Sequence, residues 1–277
     1  MMRIELAKHA GYCFGVRDAV KLAKESAKRH GTVYMLGDIV HNEVVVGQLA
    51  EAGVRVVTSL EEAKDAPLLF RAHGTTTDVW KAAEESGLNV LDGTCKLVSK
   101  IHSEVRELQR EGRTVVVIGD HGHEEVDGIA SQVENPLVVS GPEEAEELPY
   151  MRRCGVVSQS TQMIENIIAV LSVLARKAAD LRFINTVCFP TRRNQEEIRE
   201  LAKRHDVVIV VGSFTSANSK RLTAIGKSLN PRTYQVGTAG DLEPDWFKDA
   251  SSVGVSAGAS TPDELIHDVV ERIGQLG

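Results

Sequence analysis

The 277-residue sequence predicts an α/β protein with mostly parallel sheets, organised as three similar α/β units. Three observations carry this prediction. Short apolar runs alternate with amphipathic stretches along almost the whole chain. Several of those runs are continuous and β-branched, as in parallel strands covered on both faces. Cysteines and polar loops also recur at a near-constant interval: Cys13 lies 28 residues before His41, Cys95 28 before His123, and Cys188 30 before Asn218. Each interval spans a helix, a strand and a polar turn. The units are therefore read as residues 1–95 (including the N-terminal strand and the Cys13 loop), 96–185 and 186–277.

In chain order, "HAGYCFGVRDAV" (9–20) places Cys13 in a Gly-rich turn just before an amphipathic helix. Strands are expected at 55–57, 67–72, 89–92, 113–119, 136–140, 154–158, 182–186, 206–212, 233–237 and 252–258, each an apolar run bounded by polar or turn residues. Between them, 96–112 reads as a helix because Val98, Ile101, Val105 and Leu108 recur at steps of 3, 4 and 3. The last helix, 262–276, carries Leu265, Ile266, Val269, Val270 and Ile273 on one face. Thr261 as N-cap, Pro262 in the first position and Glu264 in the third make a capping box at its start. Three strand ends, "FRAHGTTT", "VIGDHGHEE" and "VVGSFTSANS", run into loops rich in Gly, His, Ser, Thr or Asn. Ligands of open α/β sheets bind beyond the carboxyl ends of strands. The three units thus each offer one cysteine and one polar loop to a shared centre.

Composition narrows the function classes. A net charge of −7, with basic residues spread along helices, argues against general nucleic-acid binding. No apolar stretch approaches the length of a membrane span, and the N-terminus lacks the apolar core of a secretory signal. The expectation is a soluble cytoplasmic protein with neither membrane nor nucleic-acid partner.

Four cysteines are present, none in a CxxC pair. Cys13, Cys95 and Cys188 sit at turn positions, whereas Cys154 begins the apolar run "CGVVS" and reads as a structural thiol. Thiolates are soft ligands suited to zinc or iron–sulfur clusters, and three of them leave one coordination position for a substrate. The competing reading is three unrelated buried thiols. His41, His73 and His123 occupy strand-end loops, where imidazoles donate to anionic oxygens or act as acids and bases. His30, His102, His205 and His267 lie on helices or at their charged ends and are expected to be solvated or helix-terminus residues. After His123 come Glu124, Glu125 and Asp127, candidates for a proton donor that position alone does not separate. Ser216 and Asn218 open the helix bearing Leu222 and Ile225, and Ser260 precedes the last helix; such helix starts suit phosphate.

Taken together, "GYCFGV", "HNEVVV", "AHG", "DGTCKLVSKIH", "GHEEVDG", "QST", "NTVC", "SANSKRL" and "AGASTPD" resemble the 4-hydroxy-3-methylbut-2-enyl diphosphate reductase family, in order and over nearly the whole chain. The resemblance implies a trefoil of three α/β units around a central cavity. It implies a 4Fe–4S cluster carried by Cys13, Cys95 and Cys188, with one iron left for the substrate. The substrate's diphosphate would be held by His41, His73, His123, Ser216, Asn218 and Ser260, with the backbone N–H of Ala217 where the family often has serine. Ser160 keeps the hydroxyl of the usual Gln-Thr-Thr and would join the substrate-binding residues, and Glu125 matches the proton-delivering carboxyl. The reaction implied is reductive dehydroxylation to isopentenyl and dimethylallyl diphosphate, with ferredoxin or flavodoxin as external electron donor. Departures surround these positions: Gly93 and Lys96 replace the usual Ala and Pro around Cys95, Glu124 the usual proline, and Ile129 a threonine, with Pro190 and Asn194 replacing the usual Ala and Arg after Cys188. The rival readings are a divergent iron–sulfur paralogue acting on another diphosphate or allylic alcohol, and a non-catalytic metal- or phosphate-binding protein.

Overall fold

A computed structural model of the chain describes residues 2–63 and 65–276. Strand β1 (Arg3–Leu6) is followed by helix α1 (Phe14–His30), β2 (Val33–Leu36), α2 (Glu43–Glu51), β3 (Val54–Val57), β4 (Leu68–Phe70), α3 (Thr77–Glu85) and β5 (Val90–Asp92). Then come α4 (Lys96–Arg110), β6 (Thr114–Ile118), α5 (Glu124–Ala130), β7 (Leu137–Val139), α6 (Pro142–Glu147), β8 (Met151–Ser158), α7 (Ile164–Lys177) and β9 (Ala178–Phe183). The chain continues through α8 (Phe189–Arg204), β10 (Val207–Val211), α9 (Ala217–Leu229), β11 (Thr233–Val236), β12 (Ser252–Ala257) and α10 (Asp263–Leu276).

Among the described residues the strands form three four-stranded sheets, ordered β1-β12-β10-β11, β3-β2-β4-β5 and β7-β6-β8-β9, with neighbouring strands parallel. The apolar inner strands, such as β4 and β10, follow from burial on two faces. Along β6, Val116 and Ile118 pack with α6 and α7, while Val115 and Val117 pack with α4 and α5. All five residues of β10 and all six of β12 are buried.

Each sheet repeats one topology. Numbering β2–β5, β6–β9 and, in the C-terminal sheet, β10–β12 followed by β1 as first to fourth, the spatial order is second, first, third, fourth. The C-terminal sheet completes this pattern only by taking β1 as its fourth strand, paired with β12 from Arg3 opposite Ser252 to Leu6 opposite Val255. The expectation that the N-terminal strand belongs with the rest of residues 1–95 is therefore corrected. Contacts divide the chain into two compact units: Met1–Arg17, Val40–Gln48 and Phe189–Gly277 form one, and Asp18–Ile39 with Leu49–Cys188 the other. The first contains the β1 sheet and the second the other two.

Other differences are local. Strand β2 was not among the expected strands. The strand expected at 182–186 runs instead over Ala178–Phe183. Beyond it, the Thr186 hydroxyl replaces the ladder: it accepts from Ser158 N at 2.7 Å and donates to Ser158 O at 2.6 Å. Thr261 is fully buried, and its hydroxyl donates to Val211 O at 3.0 Å, tying the start of α10 to the end of β10. Among the described residues no helix is long and apolar enough to cross a membrane.

Candidate functional site

The repeated topology sorts the candidate residues into three equivalent sets. Cys13, Cys95 and Cys188 each follow the fourth strand of a sheet and immediately precede the helix leading to the next sheet, α1, α4 or α8. Each is fixed by the same bond. Its backbone N–H donates to the carbonyl two residues beyond the third strand of its own sheet: Cys13 to Ala259 at 3.0 Å, Cys95 to Ala72 at 3.0 Å and Cys188 to Ser160 at 2.9 Å. His41, His123 and Ser216–Asn218 follow the first strands β2, β6 and β10. His73, Ser160 and Ser260 follow the third strands β4, β8 and β12. First and third strands are neighbours whose connections leave in opposite directions, which is the crevice where doubly wound sheets bind ligands. The likeness expected among three strand ends mixed these positions, because "FRAHG" follows a third strand and the other two follow first strands.

The three cysteines are half-buried, and Cys154 is completely buried in β8 among Val116, Ile167 and Val170. Burial pushes the Cys154 thiol up to about 11. Burial also raises the Cys95 thiol; the backbone N–H groups of Leu97 and Val98, in the first turn of α4, oppose this, and the Glu125 charge adds to it. Val16 N approaches Cys13 Sγ to 3.5 Å in the first turn of α1. Helix N-termini favour thiolates because their N–H groups point at the sulfur.

In the first unit, Ala259 and Ser260 link Cys13 to His41, since the Ser260 hydroxyl donates to His41 O at 3.4 Å. Asn42 holds His41 in place by capping α2, its Oδ1 accepting from Val44 N at 3.1 Å and Val45 N at 3.2 Å. Glu43 reaches the loop after β10, where Ser213 and Thr215 donate to its Oε1 at 2.9 and 3.3 Å. Ser216 caps α9, accepting from Ser219 N at 3.3 Å. Asn218 is 6% exposed, and its Nδ2 is buried without a protein partner, a donor suited to an anion.

In the second unit, Glu125 is 2% exposed. Ser160 holds its carboxylate by two donors, N to Oε1 at 2.5 Å and Oγ to Oε2 at 2.9 Å. Through Ser160 the same carboxylate is tied to Cys188. His123 caps α5, its Nδ1 accepting from Glu125 N at 3.1 Å, and its ring meets that of His73 edge to face with centroids 5.5 Å apart. Only one of the three acidic candidates is therefore buried. Glu124 pairs with Arg71 at 2.9 Å. Asp127 is exposed.

Sequence reasoning missed Arg71, Glu43, Asn42 and His102. His102 is corrected from solvated to 9% exposed, and its pKa is pushed down to about 4 by burial, with the Arg106 charge adding to that. The signal was available: positions 98, 102 and 105 lie on one helical face. His205 is likewise buried and pairs with Glu5 at 3.1 Å.

A family model described as LytB protein matches residues 4–274. The chain is 43% identical over 276 residues to a protein named 4-hydroxy-3-methylbut-2-enyl diphosphate reductase from Geobacter metallireducens, covering 99% of this chain and 98% of the relative. It is 44% identical to the protein of that name from Geobacter sulfurreducens, covering 98% and 97%. Among solved structures, the E-1-hydroxy-2-methyl-but-2-enyl-4-diphosphate reductase from Plasmodium falciparum superposes with a TM-score of 0.93 at 25% identity, over 98% of this chain and 87% of that one. A second, described as (E)-4-hydroxy-3-methyl-but-2-enyl diphosphate reductase, the terminal enzyme of the non-mevalonate pathway, gives 0.72 at 40% identity, over 99% and 100%.

Proposed function

The chain belongs to the LytB protein family, and we propose that it reduces 4-hydroxy-3-methylbut-2-enyl diphosphate to isopentenyl and dimethylallyl diphosphate. The observation that carries the reading is the threefold device just described: a cysteine at a helix start, tied by the same hydrogen bond, beside loops rich in anion-binding side chains.

The cysteines fit an iron–sulfur cluster. All three stand at helix N-termini, none is sealed in the core as Cys154 is, and first-turn N–H groups favour the thiolate of Cys95. Cys13, Cys95 and Cys188 are the proposed ligands of a 4Fe–4S cluster. When bound, the cluster supplies two electrons, one at a time, and a Lewis-acidic iron for the substrate's hydroxyl.

The remaining work falls to side chains. The reaction consumes two electrons and two protons, breaks the allylic C–O bond, forms a C–H bond and releases water. Glu125, once protonated, delivers a proton to the departing hydroxyl, and Ser160 N and Oγ hold the carboxylate that remains. His41, His73, His123, Ser216, Asn218, Ser260 and the N–H of Ala217 bind the diphosphate, so that the reacting carbon is presented without loss of orientation in the transition state. An external ferredoxin or flavodoxin supplies the electrons, and the cytoplasm is the proposed location.

Anaerobic purification with iron and sulfide analysis, followed by turnover with reduced viologen and the allylic diphosphate, tests the reading. A brown protein forming both products is expected. A colourless zinc protein, or an iron-loaded protein inert towards this substrate, would overturn it.

A further inference from the structure

Arg71 directly follows β4, two residues before His73, and Glu124 opens α5 directly after His123. Their side chains pair, Nη1 to Oε1 at 2.9 Å, and are only 19% and 33% exposed. The guanidinium occupies space that a glycine leaves open: a Cβ at Gly37 would stand 3.0 Å from its Nη1 and 3.1 Å from its Cζ. Gly37 has φ +68, so the turn after β2 is built to be side-chain-free at that point. Arg71 Nε is buried without a protein partner, so the guanidinium gives up hydration to sit there. Two contacts therefore join the same two segments, the ion pair and the edge-to-face contact of His73 with His123.

We propose that Arg71 and Glu124 are positioning residues whose ion pair fixes the spacing of His73 and His123 for the diphosphate. This rests on the assignment of those two histidines as diphosphate ligands. An exposed ion pair contributes little, because water screens it and two long side chains must be ordered. This pair differs because its arginine is already confined between Gly37 and Glu124. Asp127 feels both charges: its carboxyl is held up by partial desolvation on its inner side and by Glu124, and eased down by Arg71. Loss of Glu124 therefore leaves Arg71 near a second carboxylate on the following turn, which would draw the guanidinium away from its slot and loosen the His73 segment.

The test uses cluster-loaded enzyme, with kcat and KM for the allylic diphosphate and with the dissociation constant of inorganic pyrophosphate by calorimetry. Glu124→Gln and Arg71→Gln should each raise KM and the pyrophosphate constant about three- to tenfold while kcat stays within about twofold. The double variant should be no weaker than either single one, because both remove the same link. Arg71→Lys should restore part of the affinity. His73→Ala and His123→Ala are measured in parallel. If these lose pyrophosphate while Glu124→Gln binds it as before, or more tightly, the positioning role is wrong and the ligand assignment stands. If the two histidine variants bind pyrophosphate normally, the ligand assignment itself fails and takes the positioning role with it.

Discussion

Glu125→Gln isolates the proton from the structure that holds it. In the parent protein Ser160 N and Oγ both donate to the carboxylate, at 2.5 and 2.9 Å, in a site 2% exposed. A glutamine can keep both contacts: its Oε1 accepts from Ser160 N, and its Nε2 donates to Ser160 Oγ, since a hydroxyl can reverse its role and a backbone N–H cannot. The change thus converts two charge-assisted bonds into two neutral ones. Bonds to charged groups contribute about 1.5–3 kcal/mol and neutral ones about 0.5–1.5, so roughly 2–3 kcal/mol of stability is lost over the two bonds. For a chain of this size that is a fall in Tm of only several degrees. Glu125→Ala would leave Ser160 N–H buried and unpaired, confounding chemistry with folding. Loss of general acid catalysis is worth about 100- to 10,000-fold, equivalent to about 3–5 kcal/mol in the barrier. The assay is single-substrate turnover of cluster-loaded enzyme under saturating reduced viologen, beside iron content and pyrophosphate affinity. Turnover should collapse with iron content and affinity near parental values. Parental turnover in Glu125→Gln would refute the assignment, and lost iron would show that Glu125 supports Cys95 or Cys188 rather than the proton.

Three further outcomes follow from the same geometry. Serine at Cys13, Cys95 or Cys188 should each abolish iron retention, whereas Cys154→Ser should keep iron and lose about 1–3 kcal/mol in denaturant unfolding, because a hydroxyl replaces a thiol in a closed core; iron loss confined to Cys154→Ser would reverse the roles. Saturating pyrophosphate at 100 times its dissociation constant should stabilise the loaded protein by about 2.7 kcal/mol, and Asn218→Ala, which removes a buried and otherwise unpaired donor, should shrink that shift. His102 has a folded-state pKa of about 4, below its ordinary 6.5, because burial disfavours the imidazolium. Between those values the unfolded chain binds the extra proton, so stability is full above pH 6.5 and falls as pH drops towards 4, by on the order of 3 kcal/mol at most. Denaturant unfolding at pH 7 and pH 5 should show this slope, and His102→Gln should flatten it; an unchanged slope in that variant would assign it to other groups.

The sequence by itself determined what is encoded within a single element. Continuous β-branched runs specify strands buried on both faces, and the 3.6-residue period of Val98, Ile101, Val105 and Leu108 specifies the inner face of α4. The recurring interval from cysteine to polar loop marked three repeats and singled out Cys13, Cys95 and Cys188 from Cys154, whose apolar run matched no turn. Partners chosen across the chain were decided only by the tertiary structure. "RIEL" satisfies the edge of any parallel sheet, and nothing in four residues says that its neighbour is β12. Position left Glu124, Glu125 and Asp127 equivalent; the buried carboxylate is the one that Ser160, 35 residues away, can reach. Arg71 meets Glu124 across 53 residues, through a space that exists only because Gly37 stands in a third segment. Periodicity records which face of an element turns from water, since that is a local property of helix and strand geometry. Which charged or polar groups meet behind that face depends on how separate elements pack, where a displacement of a few ångströms decides between a hydrogen bond and none.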